Sequence, residues 1–225
     1  MMNLYRKIAI FVLGLTVSHK APIPTYPAPM LSPKTLEMVK RYTVLISIEG
    51  FGGGYRGTGV LIDKDHVLTC AHMIESSELW VYTYPLGHVI TSAPVWVDQW
   101  HDLAILTLHE DVPLAHYAVV NTTTTVGQPV VVVGNTLGAM TWFVSYGMIS
   151  NKEGFYDETT ALIRGGNSGG PWVDLDGHLV ALTDWGLVDR KGNEEGIGGG
   201  INGETIQKFL KQWKAPDIFQ ILLGG

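Results

Sequence analysis

Apolar positions between residues 42 and 108 fall into six short runs, 42–48, 58–62, 66–69, 79–84, 93–98 and 103–108, separated by turns rich in Gly, Asp and charged residues. Runs of this length, rich in β-branched and aromatic side chains and punctuated by turn residues, predict strands. A polar tract, 121–125, interrupts the pattern, and six more runs follow at 129–133, 141–149, 158–163, 171–173, 179–183 and 197–201. No helical period alternates with them, so the prediction is an all-β chain of barrels or sandwiches rather than βαβ units. Helical spacing is clear only over 205–213, where Ile206, Phe209, Leu210 and Trp213 recur three and four apart and predict a helix docked on the second set of strands. Residues 36–40 admit one helical turn ahead of the first strand.

The ends read differently. Residues 1–18 have the plan of an export signal: Arg6 and Lys7, the apolar run 8–17, then small residues near Ser18. Ten apolar residues rise about 15 Å as a helix, half of a bilayer's hydrocarbon core, so a leader for export, periplasmic or secreted, is the reading. A retained membrane anchor through 8–17 is its alternative. Pro22, Pro24, Pro27, Pro29 and Pro33 make 19–35 an extended linker. The folded domain is expected over 36–214, and the apolar tail 215–225 either docks or joins subunits.

Composition narrows the function. With 46% hydrophobic and 16% charged residues among 225, the chain can bury a core. The net charge of −6, without a basic cluster, argues against a nucleic-acid partner. One cysteine, Cys70, excludes an internal disulfide framework and a four-thiolate zinc site. Eight histidines show no i, i+4 pair, so no metal is expected. Six glycines between residues 49 and 59 lack the Lys-Ser/Thr pair of a phosphate cradle and read as a hairpin.

Chemistry concentrates in Gly165-Gly166-Asn167-Ser168-Gly169-Gly170-Pro171. A serine hydroxyl attacks well only when a base takes its proton, and the oxyanion it creates must meet fixed donors. Glycines flanking Ser168 permit a tight turn that aims the N–H groups of Gly166 and Ser168 into one small hole. His72, closing the run Val67-Leu68-Thr69-Cys70-Ala71, is the candidate base. Asp102, opening the apolar strand 103–108, needs a partner for its carboxylate, and an imidazole N–H would satisfy it. Cys70, in an apolar strand, reads as buried rather than nucleophilic.

These blocks, with Gly57-Thr58-Gly59-Val60-Leu61-Ile62 and Asp184-Trp185-Gly186, make the chain resemble the trypsin-like serine endopeptidases over about 42–213, with His, Asp and Ser in the same order. The resemblance implies two six-stranded antiparallel β-barrels with a C-terminal helix, His72 and Asp102 on the first barrel, Ser168 on the second. It also implies an exported serine-type endopeptidase that needs no cofactor and takes polypeptide substrates. The alternative is a slow or inactive protease-fold protein that binds unfolded or partner polypeptides. Among such proteins the chain looks nearest to HtrA-type proteases. Asn167 stands where members activated by clipping carry Asp, and no PDZ module fits in the dozen residues after the helix.

Two expectations concern the rest of the site. By this resemblance the floor of the first specificity pocket falls at Leu162, with walls from Thr183, Asp184, Trp185, Gly186 and Gly199, and cleavage follows apolar residues. Asp184 occupies a position where the family carries Ser or Thr beside the catalytic Asp. It either shares the orienting role with Asp102 or turns outward into solvent.

Overall fold

The computed structural model describes residues 30–47, 56–74, 79–85, 89–114, 116–136, 141–188 and 194–214. The leader at 1–18, most of the linker at 19–35, most of the glycine hairpin and the tail at 215–225 lie outside the described residues. Among the described residues no helix is long and apolar enough to cross a membrane.

The first barrel is closed by β1 (Thr43–Ser47), β2 (Arg56–Leu61), β3 (His66–Cys70), β4 (Leu79–Tyr82), β5 (Val89–Asp98) and β6 (Leu103–Leu108), in the order β1-β2-β3-β6-β5-β4. The second is closed by β7 (Pro129–Asn135), β8 (Trp142–Glu153), β9 (Tyr156–Thr159), β10 (Pro171–Val173), β11 (Leu179–Val188) and β12 (Glu194–Asn202), in the order β10-β11-β12-β9-β8-β7. Neighbouring strands run antiparallel, for instance Val67 opposite Leu106 and Val131 opposite Tyr146. The expected pair of six-stranded barrels is therefore present, and closure removes the sheet edges that short exposed strands would leave.

Two helices fasten the barrels together. Helix α1 (Pro33–Tyr42) is longer than the single turn expected at 36–40, and Pro33 belongs to it rather than to the linker. Ser32 caps it, its hydroxyl accepting from the Thr35 N–H at 3.0 Å. Proline at the first helical position has no N–H to lose there. Tyr42, fully buried, donates its hydroxyl to the Gly177 carbonyl at 2.7 Å and so ties the entry to the first barrel onto the second. Helix α2 (Gly203–Lys214) buries Ile206 and Phe209 against the second barrel as its period predicted. It also reaches the first, where Trp213 meets the His66 ring edge-on at 4.7 Å between centroids.

Between the barrels the chain packs closely around three glycines. A Cβ on Gly57 would lie 3.3 Å from the Ser168 carbonyl oxygen, and one on Gly134 3.1 Å from the Thr58 hydroxyl. A Cβ on Gly169 would meet the Thr58 carbonyl oxygen and the Thr69 hydroxyl. This contact positions the turn that carries Ser168.

Candidate active site

His72 sits on a single 3-10 turn, Ala71–Met73, directly after β3. Its backbone N–H donates to Asp102 Oδ1 at 2.7 Å, and its ring Nδ1 lies 2.5 Å from Asp102 Oδ2. One carboxylate thus holds both the main chain and the ring of the same residue. Asp102 itself is in the left-handed region at φ 53, which Asp tolerates better than most side chains. Its carbonyl also takes the Ala71 N–H at 3.1 Å. Burial pushes the Asp102 carboxyl up, but the hydrogen bonds and charge from His72 outweigh it and hold the group below its ordinary value.

Ser168 lies in the loop between β9 and β10 of the second barrel. Gly166 at φ 95 and Gly169 at φ 78 flank it in backbone conformations that favour glycine. Asn167 closes the turn, its N–H donating to the Arg164 carbonyl at 3.0 Å. The turn is held from the first barrel by Thr58, whose N–H donates to the Ser168 carbonyl at 2.9 Å and whose hydroxyl donates to the Gly166 carbonyl at 2.8 Å. With these carbonyls engaged, the N–H groups of Gly166 and Ser168 donate to no acceptor among the described residues, as an anion-receiving pair should.

Asp184 gathers the two halves. Its side chain is 13% exposed and its Oδ1 lies 3.8 Å from His72 Nδ1. Its backbone carbonyl oxygen is 3.5 Å from Ser168 Oγ. The outward, solvated placement is therefore corrected: Asp184 turns in beside Asp102. Burial and the neighbouring Asp102 carboxylate push its carboxyl up to about 6, against the opposing influence of the Tyr156 hydroxyl. That tyrosine, on β9, escaped the sequence reading. Its hydroxyl is itself pushed up by burial and by Asp184.

A recess of about 190 Å³ opens beside Ser168, lined by Ile163, Arg164, Gly165, Asp184, Trp185 and Gly186. Leu162 does not line it; the Leu162 carbonyl accepts from Ser145 Oγ at 2.8 Å, and Ile163 takes its place. Thr183 is not a wall either. Its hydroxyl accepts from the Trp172 indole at 2.8 Å inside the barrel, while its carbonyl takes the Gly169 N–H. Gly199 pairs with Trp185 and lies against the indole, where a Cβ would collide with the ring, outside the recess lining.

Cys70 is buried, its thiol donating to the Thr183 carbonyl at 3.1 Å. Burial and the charges of Asp102 and Asp184 push that thiol well up, so it is held as a poor nucleophile. Among the described residues three clusters bring His and acidic groups within reach of a cation, at Asp63, Asp65 and His66, at Asp174, Asp176 and His178, and around His72. In each the histidine Nδ1 already faces a carboxylate, at 2.8 Å in His66–Asp63 and 3.4 Å in His178–Asp174.

Two closed six-stranded barrels, with His72 paired to Asp102 on one and the turn of Ser168 on the other, define the class as chymotrypsin-like. More narrowly, the chain belongs to the family of the trypsin-like peptidase domain, which it matches over residues 57–182. It is 28% identical over 169 residues to a probable periplasmic serine endoprotease DegP-like of Chlamydia trachomatis, covering 70% of this chain and 33% of the relative. It is 28% identical over 183 residues to a serine protease HtrA-like of Staphylococcus epidermidis, covering 72% and 30%. A pro-apoptotic serine protease of Coccidioides immitis is 30% identical over 155 residues, covering 60% and 15%. The chain thus spans a third or less of the length of these curated relatives. The crystal structure of the serine endoprotease from Yersinia pestis has the same fold, with a TM-score of 0.67, 24% identity, and coverage of 80% of this chain and 65% of that one.

Proposed function

We propose that the protein is an exported serine endopeptidase that cleaves polypeptides through an acyl-enzyme. The observation that carries this reading is the convergence on Asp184 of a histidine already paired with a carboxylate and of a serine whose flanking N–H groups are unspent. Ser168 Oγ attacks the substrate carbonyl while His72 Nε2 takes its proton. The developing imidazolium keeps its Nδ1–H on Asp102, which fixes the tautomer and stabilises the charge. The oxyanion enters the hole made by the Gly166 and Ser168 N–H groups, the interaction that supplies most of the barrier lowering in such chemistry. As the tetrahedral intermediate collapses, His72 returns the proton to the leaving amine and the acyl group remains on Ser168. Water then attacks the ester with His72 again as base, and the serine is freed.

The residue before the scissile bond fits the recess beside Ser168, where Ile163 and Trp185 offer apolar walls, Arg164 disfavours a second cation, and the Asp184 carboxyl in the lining is engaged beside His72. Medium-sized apolar side chains are the preferred occupants. Export is supported by the plan of residues 1–18 and by a similar protein described as periplasmic.

The test is fluorophosphonate labelling of the protein and of Ser168→Ala, followed by turnover of a peptide library. A Ser168-dependent adduct with cleavage after Val, Leu, Met or Phe is the expected result. An adduct with negligible turnover would favour a slow or polypeptide-binding role, and absence of any Ser168-dependent adduct would refute the enzymatic reading.

A further inference from the structure

Strand β11 breaks register between Thr183 and Trp185: Thr183 faces Gly200 and Trp185 faces Gly199, so Asp184 is the extra residue of a bulge. A bulge re-aims its side chain off the regular pleat. Here it drives a carboxyl inward, to 3.8 Å from His72 Nδ1 and within 4.8 Å of the carboxylate that holds the ring. We propose that Asp184 is a positioning residue for the general base, sharing one proton with Asp102 behind His72 and braced there by the Tyr156 hydroxyl. The inference deepens the endopeptidase reading and rests on it.

The groups facing Asp184 come from four elements. The Tyr156 hydroxyl from β9 favours its ionised form; the Asp102 carboxylate, from the turn ahead of β6, lies within 4.8 Å; His72 from the 3-10 turn lies 3.8 Å away; and Cys70 from β3 feels its charge. Two carboxylates this close disfavour double ionisation, and one proton between them is the lower-energy state. In that state Asp184 is a neutral donor to Asp102. It adds no charge beside the imidazole and steadies the acceptor of Nδ1–H. Once the shared proton leaves, a second negative charge stands near Nδ1 and makes His72 harder to deprotonate. The pair therefore couples the base to pH: its second charge delays the appearance of free imidazole. It also supplies a reserve acceptor, since Asp184 Oδ1 is the next carboxylate oxygen to Nδ1 after those of Asp102.

The experiment follows the rate of fluorophosphonate inactivation of the full chain against pH for wild type, Asp184→Asn and Tyr156→Phe. In Asp184→Asn the acid limb should move down by about one pH unit, the effect of removing one charge some 4 Å away under partial screening. Tyr156→Phe should move it the same way by less, because the lost donor had favoured ionised Asp184. Asp102→Asn should retain residual activity at pH 8 that Asp102→Asn/Asp184→Asn loses by roughly another tenfold, since only the former keeps a carboxylate near Nδ1. Acid limbs that superimpose on wild type, with no added loss in the double variant, overturn the proposal. If Asp184→Asn does not fold, the Tyr156→Phe profile decides alone. A wild type without Ser168-dependent labelling would bring down the endopeptidase reading instead, a result separate from either pH outcome.

Discussion

Thr58 of the first barrel holds the turn around Ser168 of the second through two bonds at once, its N–H donating to the Ser168 carbonyl at 2.9 Å and its hydroxyl to the Gly166 carbonyl at 2.8 Å. The same hydroxyl accepts the Asn135 N–H at 2.9 Å. A strand of the first barrel therefore fixes the turn that presents the Gly166 and Ser168 N–H groups. Thr58→Val keeps the shape and leaves the Gly166 carbonyl and Asn135 N–H without that partner, at about 1–3 kcal/mol each. We expect kcat to fall roughly tenfold or more with KM little changed, and Thr58→Ser to restore most of it. An unaltered kcat in Thr58→Val would contradict this role.

Specificity should answer to Ile163 rather than Leu162. Ile163→Ala deepens the recess and is expected to raise kcat/KM for Phe over Val before the scissile bond by about tenfold, within the 10- to 200-fold that small changes in an apolar pocket produce. Leu162→Ala should leave this ratio unmoved. Paired fluorogenic peptides differing only at that residue measure both.

The two site carboxyls contribute to stability with opposite pH dependence. Asp102 is held below its unfolded value, so its contribution is present above the unfolded pKa near 4 and lost as pH falls through the lower folded one. Asp184 is raised to about 6: between about 4 and 6 the folded state keeps a proton that the unfolded state has lost, and stability falls as pH rises through that window. Asp184→Asn should therefore gain more in Tm over wild type at pH 7.5 than at pH 4.5. Equal differences at the two pH values in thermal melts would show that Asp184 carries no such strain.

Tyr42→Phe tests the fastening of α1. It removes a buried bond to the Gly177 carbonyl without opening a void. A loss of about 1–2 kcal/mol is expected, a Tm drop of about 3–6 °C in a domain of this size, with kcat/KM unchanged.

The sequence made the chemistry legible because acyl transfer demands particular residue types, and glycines around Ser168 declare their backbone purpose. The number and grouping of strands were legible for a similar reason, since each run had to fill a barrel interior. What escaped depended on where the chain bends. Pro33 read as linker because proline breaks helices, although with Ser32 before it the same residue starts one. Counting back from Ser168 placed Leu162 at the pocket floor. The ladder of β9 ends at Thr159, and after it the chain turns Ile163 to that wall. The influence of Tyr156 on Asp184 spans two strands and depends on a bulge, which no local pattern announces.

The glycine-lined approach of Gly57, Gly134 and Gly169 has a bearing on how such a molecule can vary. The space a Cβ would take is already filled, by Met73 at Gly57, by the Thr58 hydroxyl and Asn167 at Gly134, and by the Thr58 carbonyl and Thr69 hydroxyl at Gly169, so any larger residue there displaces contacts that hold the Ser168 turn. A saturation mutagenesis map should accordingly show three intolerant columns at these positions, well separated along the polypeptide, amid far more permissive neighbours.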